Sequence, residues 1–166
     1  MTQQQPYEIV DRWGDIEIRR YPRHAIAEVV VEGDFDAAGN RGFRSLFGYI
    51  QGRIAMTAPV VMTPRDEGNA VAFVMPTDRD IDSLPAPTYP EVQLQAVPEQ
   101  TAAVLKFSGW GNASDLRRKG SRLLSGLAGS GWQPAGPVRL ARFNPPFVPP
   151  FLRHNEVVVP VEPAGN

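Results

Sequence analysis

Two periodicities alternate along the chain. "YEIVDRW" and "IEIRRYP" alternate apolar and polar residues around Gly14, which predicts two antiparallel strands. "HAIAEVVVEG" follows as a further strand. Ala25, Ala27, Val29 and Val31 share one of its faces; His24, Ile26, Glu28, Val30 and Glu32 share the other. The small apolar set is expected to point inward. The period then changes. Phe43, Leu46, Phe47 and Ile50 recur at i, i+3, i+4 and i+7, the spacing of one helical face. Asp34 or Asp36 can cap this helix and Gly52 can end it, while Gly39 and Gly42 weaken its first turns. "APVVMTP" and "AVAFVMP" then read as a hairpin across "RDEGN".

The second half follows the same plan. "VQLQAVPEQTAAVLKFSG" matches "IEIRRYPRHAIAEVVVEG" at one constant offset, which carries Pro22 to Pro98, Gly33 to Gly109, Ile16 to Val92 and Ile18 to Leu94. A second helix is expected in "SDLRRKGSRLLSGLAG", capped by Ser114 and apolar along Leu116, Leu123, Leu124 and Leu127. "VRLARF" and "NEVVVPV" complete the set as strands. The expectation is an α+β chain of about eight strands and two helices, a duplicated strand-strand-helix unit closing into a distorted antiparallel β-barrel. It is a single domain over 1–166 with pseudo-repeats at about 7–75 and 83–162.

Composition narrows the chemistry. There are 17 basic and 18 acidic side chains, a net charge of -1, so nothing suggests a nucleic-acid partner. With no cysteine, thiolate metal sites and cysteine nucleophiles are excluded. No apolar run reaches transmembrane length and "MTQQQPYEIV" is not a readable signal peptide, so a soluble, cytoplasmic protein is expected. No HExxH, P-loop, GxSxG or dinucleotide pattern occurs, which points to a binding protein rather than an enzyme.

Large apolar residues are over-supplied in two places. Phe35, Phe43, Phe47 and Tyr49 lie in or beside the first helix. "ARFNPPFVPPFLRHNEVVV" adds Phe143, Phe147, Phe151 and Leu152 to a loop stiffened by Pro145, Pro146, Pro149 and Pro150. A stiff loop presenting aromatics suits either a preformed apolar pocket or a simple lid.

These residues carry a resemblance. "IEIRRYP", "FGYIQG", "IAMTAPV", "FVMP", "LPAP", "AVLKFSGW" and "FNPPFVPPFLRHNEVVV" resemble, in order and spacing, the SOUL/haem-binding protein family from about Tyr7 to Val161. The resemblance implies a soluble domain that holds haem or a related tetrapyrrole non-covalently in an apolar groove, for transport, buffering or sensing. The implied groove residues are Phe43, Phe47 and Ile50, with Phe147, Phe151 and Leu152 opposite; Arg44, Arg53 and Arg153 are the implied partners of the propionates. His154 is the candidate iron ligand and His24 a weaker one. Two departures stand out. Only Gly52 and Arg53 separate Gln51 from Ile54, where the family commonly has a longer polar insert. His154 stands where arginine is usual. The alternative is an effector-sensing module for bulky apolar or cationic ligands, with Glu28, Glu32 or Glu156 as a buried carboxylate. An enzyme acting on a tetrapyrrole is a second alternative.

Overall fold

The computed structural model describes residues 3–145 and 147–165; Pro146, counted above among the stiffening prolines, lies outside them. In chain order the elements are β1 (Gln3–Gln4), β2 (Glu8–Trp13), β3 (Ile16–Tyr21), β4 (His24–Val31), α1 (Phe35–Ile50), β5 (Thr57–Ala58), β6 (Val60–Arg65) and β7 (Gly68–Val74). Then come β8 (Gln93–Val97), β9 (Gln100–Phe107), α2 (Ala113–Gly126), β10 (Trp132–Pro134), β11 (Arg139–Arg142) and β12 (Asn155–Pro163). Single 3-10 turns occur at Ile81–Ser83 and Pro150–Leu152. The chain divides into two compact units, residues 1–6 with 23–98 and residues 7–22 with 99–166.

In the first unit the strand order is β6-β7-β4-β8, all antiparallel, beside a short parallel pair of β1 with β5. The β6–β7 hairpin turns across Asp66 and Glu67, with Arg65 paired to Gly68. Ala25, Ala27 and Val29 are buried as their period requires, while Val31 of the same expected face is half-buried. Helix α1 begins at Asp34, whose carboxylate accepts from the Ala37 N–H, and ends before Gly52, whose φ of 75° is left-handed. Its buried face is not the expected stripe: Phe35, Ala38, Gly39, Gly42, Leu46, Tyr49 and Ile50 face the sheet, while Phe43 and Phe47 lie at the margin. The reason is Gly42. A Cβ there would lie 2.7 Å from the Val71 Cβ and Cγ2, so absence of a side chain lets helix and sheet approach. Glycines that sequence alone marks as weak points are contact surface.

In the second unit the order is β2-β3-β9-β12-β11, with β10 paired to the far end of β12. Helix α2 is capped by Asn112, whose side chain accepts from the Asp115 N–H at 2.9 Å, rather than by Ser114. Leu116, Leu123 and Leu127 are buried as expected, but Leu124 is exposed.

Neither sheet closes. In each unit the path runs out at an edge strand, β8 in the first and β2 in the second, which among the described residues pairs on one side only. The expected barrel is therefore corrected to open sheets. Alternation tells which face of a strand is buried and says nothing about which strand lies at an edge. Strand β2, exposed along nearly its whole length, is such an edge.

The pairing also has a reciprocal pattern. β4 spans 24–31 and β9 spans 100–107, the spacing that separates Pro22 from Pro98. β4 takes β8 as partner with His24 opposite Val97; β9 takes β3 with Gln100 opposite Tyr21. Each of these strands thus pairs with the hairpin strand from the other half of the sequence.

Candidate functional site

Helix α1 presents an aromatic face in the first unit. Phe43 and Phe47, one turn apart, are 37% and 44% exposed and stack with centroids 5.8 Å apart and planes 13° from parallel. Phe43 also sets its edge against buried Phe73 of β7, at 5.3 Å. Tyr89 extends the surface: its ring lies against Gly48, where a Cβ would come within 3.1 Å of Cε2. Arg44 is exposed on the same helix. Ile50 is buried, so it supports the helix instead of lining its outer face. Arg53 donates to the Tyr49 carbonyl at 2.7 Å and its guanidinium sits 5.4 Å from that ring. The Tyr49 hydroxyl donates to the Pro85 carbonyl at 2.7 Å, and burial raises its pKa.

Glu28 occupies the opposite side of the same sheet. It pairs in register with Ala72 and Gln93, while Val71 and Phe73, the residues that α1 touches, alternate to the other face. Glu28 is buried and its carboxylate meets Arg65 at 3.1 Å. Glu32 is exposed. His24 begins β4, with its Nε2 3.3 Å from the Gln5 amide.

The "IAMTAPVVM" stretch serves the first unit's interior. Ile54, Thr57, Ala58 and Met62 are buried, and Gln5 donates its N–H to the Ala58 carbonyl. The Thr57 hydroxyl has no hydrogen-bond partner among the described residues.

The second unit holds a buried ionic cluster on the sheet face opposite α2. Arg19 donates to both oxygens of Glu156, at 2.8 and 3.0 Å, and also to Glu17 and the Tyr21 hydroxyl. The Tyr7 ring covers its guanidinium at 3.8 Å. His154 places Nε2 2.9 Å from Glu156 Oε2 and stacks on Phe143 at 4.4 Å. Burial by itself would raise the Glu156 pKa; the hydrogen bond from His154 and the charge of Arg19 outweigh it and hold the carboxyl below its ordinary range. Burial pushes the Tyr21 phenol up. Of this cluster, sequence reasoning singled out His154 and Glu156 but missed Arg19 and Tyr21. Arg19 shares its strand face with Glu17 and Tyr21, opposite Ile16 and Ile18, so the alternation in "IEIRRYP" reads it as a solvent-facing arginine.

The late loop lies in the same unit. Phe147, Phe151 and Leu152 are 83%, 75% and 63% exposed, and Trp110 is 63% exposed. Arg153 donates Nε to the Val148 carbonyl and Nη1 to the Trp110 carbonyl. The candidate residues thus fall in two sets: Phe43, Arg44, Phe47, Ile50 and Arg53 in the first unit, and Phe147, Phe151, Arg153 and His154 in the second. Among the described residues no cluster of three or more His, Asp or Glu side chains could hold a metal ion.

Residues 2–160 match the family model described as SOUL heme-binding protein, and the chain belongs to that family. Heme-binding protein 2 of Mus musculus is 31% identical over 119 residues, 63% of this chain and 58% of that protein, so the chain spans little more than half the length of this relative. Among solved structures, the crystal structure of the EcmrR C-terminal domain superposes with a TM-score of 0.67 at 12% identity, covering 95% of this chain and 99% of that one. The cryo-EM structure of an EcmrR–DNA complex gives 0.69 at 12% identity, over 90% of this chain and 57% of that chain.

Two expectations are corrected by these likenesses. The fold recurs within a chain solved in complex with DNA, so the near-neutral net charge is no ground for excluding nucleic acid; a total conceals how charge is distributed. The fold is also shared with chains whose descriptions mention no haem, so it carries no haem specificity. No helix among the described residues is long and apolar enough to cross a membrane.

Proposed function

We propose that the chain binds a bulky, flat apolar small molecule against the aromatic face of α1, in transport, buffering or sensing. The observation that carries this reading is the stacked, exposed Phe43–Phe47 pair, braced from beneath by Phe73. Rings held in place lose little freedom when a ligand covers them. Haem and related tetrapyrroles belong to this ligand class, and the family description supports them. The face suits the plane of a porphyrin, with exposed Arg44 available to a propionate. Of the weaker candidate ligands near it, the Tyr49 hydroxyl is committed to Pro85, Met62 is fully buried and Met56 is half-buried. A tetrapyrrole here would be held by its ring and not by its metal.

A bulky apolar cation is the second reading, favoured by buried Glu28, which would exchange Arg65 for the ligand's charge. The two readings place the ligand on opposite faces of one sheet, so a pair of variants separates them. Haem and a lipophilic aromatic cation are titrated into the parent, Phe47→Asp and Glu28→Gln proteins, following tryptophan quenching and, for haem, the Soret band. The main reading expects Phe47→Asp to weaken haem binding by about tenfold or more while Glu28→Gln leaves it unchanged. Preference for the cation, lost in Glu28→Gln and kept in Phe47→Asp, selects the second. Haem binding no tighter than to an unrelated protein, with no effect of either variant, sinks both.

A further inference from the structure

Among the described residues, the most exposed large apolar side chains lie together in the second unit: Trp110, Phe147, Phe151 and Leu152. They stand on a braced frame. The Gly109 N–H donates to the Pro150 carbonyl at 3.0 Å, joining the 108–112 segment to the late loop. Arg153 ties Val148 to Trp110 through their carbonyls, and the Asn155 amide donates to the Gly109 carbonyl. Val148 and Leu152 donate their N–H groups to Pro145 and Pro149. Exposed rings on a stiff loop expose apolar area with no gain in chain entropy to offset the cost, so the arrangement calls for a partner.

The charge nearby says which partner. Arg117, Arg118, Lys119 and Arg122 follow Trp110 on α2, Arg122 pairing with Asp15 at 3.3 Å, and Arg142 and Arg153 flank the late loop. The sole acidic residue in segments 107–122 and 139–155 is Asp115, which already accepts from the Gly111 N–H and pairs with Arg118. In a chain with 17 basic and 18 acidic residues this is a local excess of positive charge. A second copy seated symmetrically on this face would bring like charges together. A bilayer surface bearing anionic lipid meets both features: apolar side chains enter the interface and cations face the headgroup phosphates. Neither an apolar nor a basic contact anchors a protein firmly by itself, and the combination does.

We infer that the second unit docks on anionic membrane surfaces through Trp110, Phe147, Phe151 and Leu152, with the arginines beside them as headgroup contacts. This inference stands apart from the ligand site on α1. Its test is flotation of the full chain with phosphatidylcholine vesicles, with and without phosphatidylglycerol, for the parent, Phe147→Ser/Phe151→Ser and Arg117→Glu proteins. The parent is expected to float with the phosphatidylglycerol vesicles. The double Phe variant should partition about tenfold or more weakly, and Arg117→Glu should lose part of the preference for anionic lipid. All three should share one circular dichroism spectrum, since the altered side chains are exposed. A parent that stays unbound to both vesicles, or a double Phe variant that floats like the parent, overturns the inference. So does binding of an oligonucleotide, or self-association, lost in the same variants while vesicles are ignored.

Discussion

Arg19 and Glu156, 137 residues apart in sequence, meet as a two-pronged ion pair inside the second unit, at 2.8 and 3.0 Å. Both are almost fully buried. Removing one partner leaves a charge without solvent or counter-ion, so Glu156→Ala is expected to cost about 3–5 kcal/mol, read from urea unfolding. The Arg19→Met/Glu156→Leu double variant should recover most of that loss, because apolar replacements carry no desolvation cost. If the double variant is no more stable than Glu156→Ala, the pair is not the unit of stability.

The same carboxylate gives a pH dependence with a definite sign. The folded-state pKa of Glu156 lies below its ordinary value despite burial, through the His154 hydrogen bond and the charge of Arg19. A depressed pKa contributes stability that is complete above the unfolded carboxylate range and is lost as pH falls through the folded value. The unfolding midpoint of the parent should therefore fall on acidification below the ordinary carboxylate range more steeply than that of Glu156→Gln. Parallel curves would count against the argument.

Gly42 offers a test of the close helix–sheet contact. Alanine normally favours a helix over glycine by about 1 kcal/mol. Here its Cβ would fall 2.7 Å from two carbons of Val71, so Gly42→Ala is expected to destabilise by about 1–3 kcal/mol. Gly42→Ala/Val71→Ala should regain part of the loss by making room. A stabilised single variant would show that helix and sheet can separate without cost.

Asn112 is the cap of α2, accepting from the Asp115 N–H at 2.9 Å. Asn112→Ala should cost about 1 kcal/mol and Ser114→Ala clearly less. Thermal unfolding of the two variants distinguishes the cap that the structure shows from the one that composition suggests.

His154 holds its Nε2 against Glu156 and its ring against Phe143. Ligating iron through Nε2 would require giving up the bond to a buried carboxylate. The expected result is that His154→Ala leaves the Soret maximum of the haem-loaded chain where it was; a shift would identify His154 as a ligand.

Much of the architecture was legible because periodicity is a local property. Strand β4 reads its inward set as Ala25, Ala27, Val29 and Val31; the first three are buried and Val31, at the strand's end, is half-buried. What failed depended on neighbours. Phe43 and Phe47 belong by spacing to the apolar stripe of α1, yet Gly39 and Gly42 draw a different face onto the sheet and leave both rings partly outside. Barrel closure failed for a related reason: an edge strand and an inner strand share one alternation. The short strands β1, β5 and β10 are too brief to show any period. At the candidate site, the aromatic residues were visible as an excess, whereas Arg19 was not, because nothing local announces that an arginine at residue 19 will meet a glutamate at residue 156.

The reciprocal pairing of β3 with β9 and of β4 with β8 bears on how the chain is made. A ribosome releases β3 and β4 long before β8 and β9, so neither early strand can find its late partner until more than half of the chain has emerged. What can form first is the local β4–α1–β7 layer with the β6–β7 hairpin. During that interval β3 carries an unpaired edge and an arginine with no glutamate to meet, and loop closure over the intervening residues sets the pace. Nascent chains arrested before β9 should consequently expose sheet edges to chaperones, and those released after β12 should not.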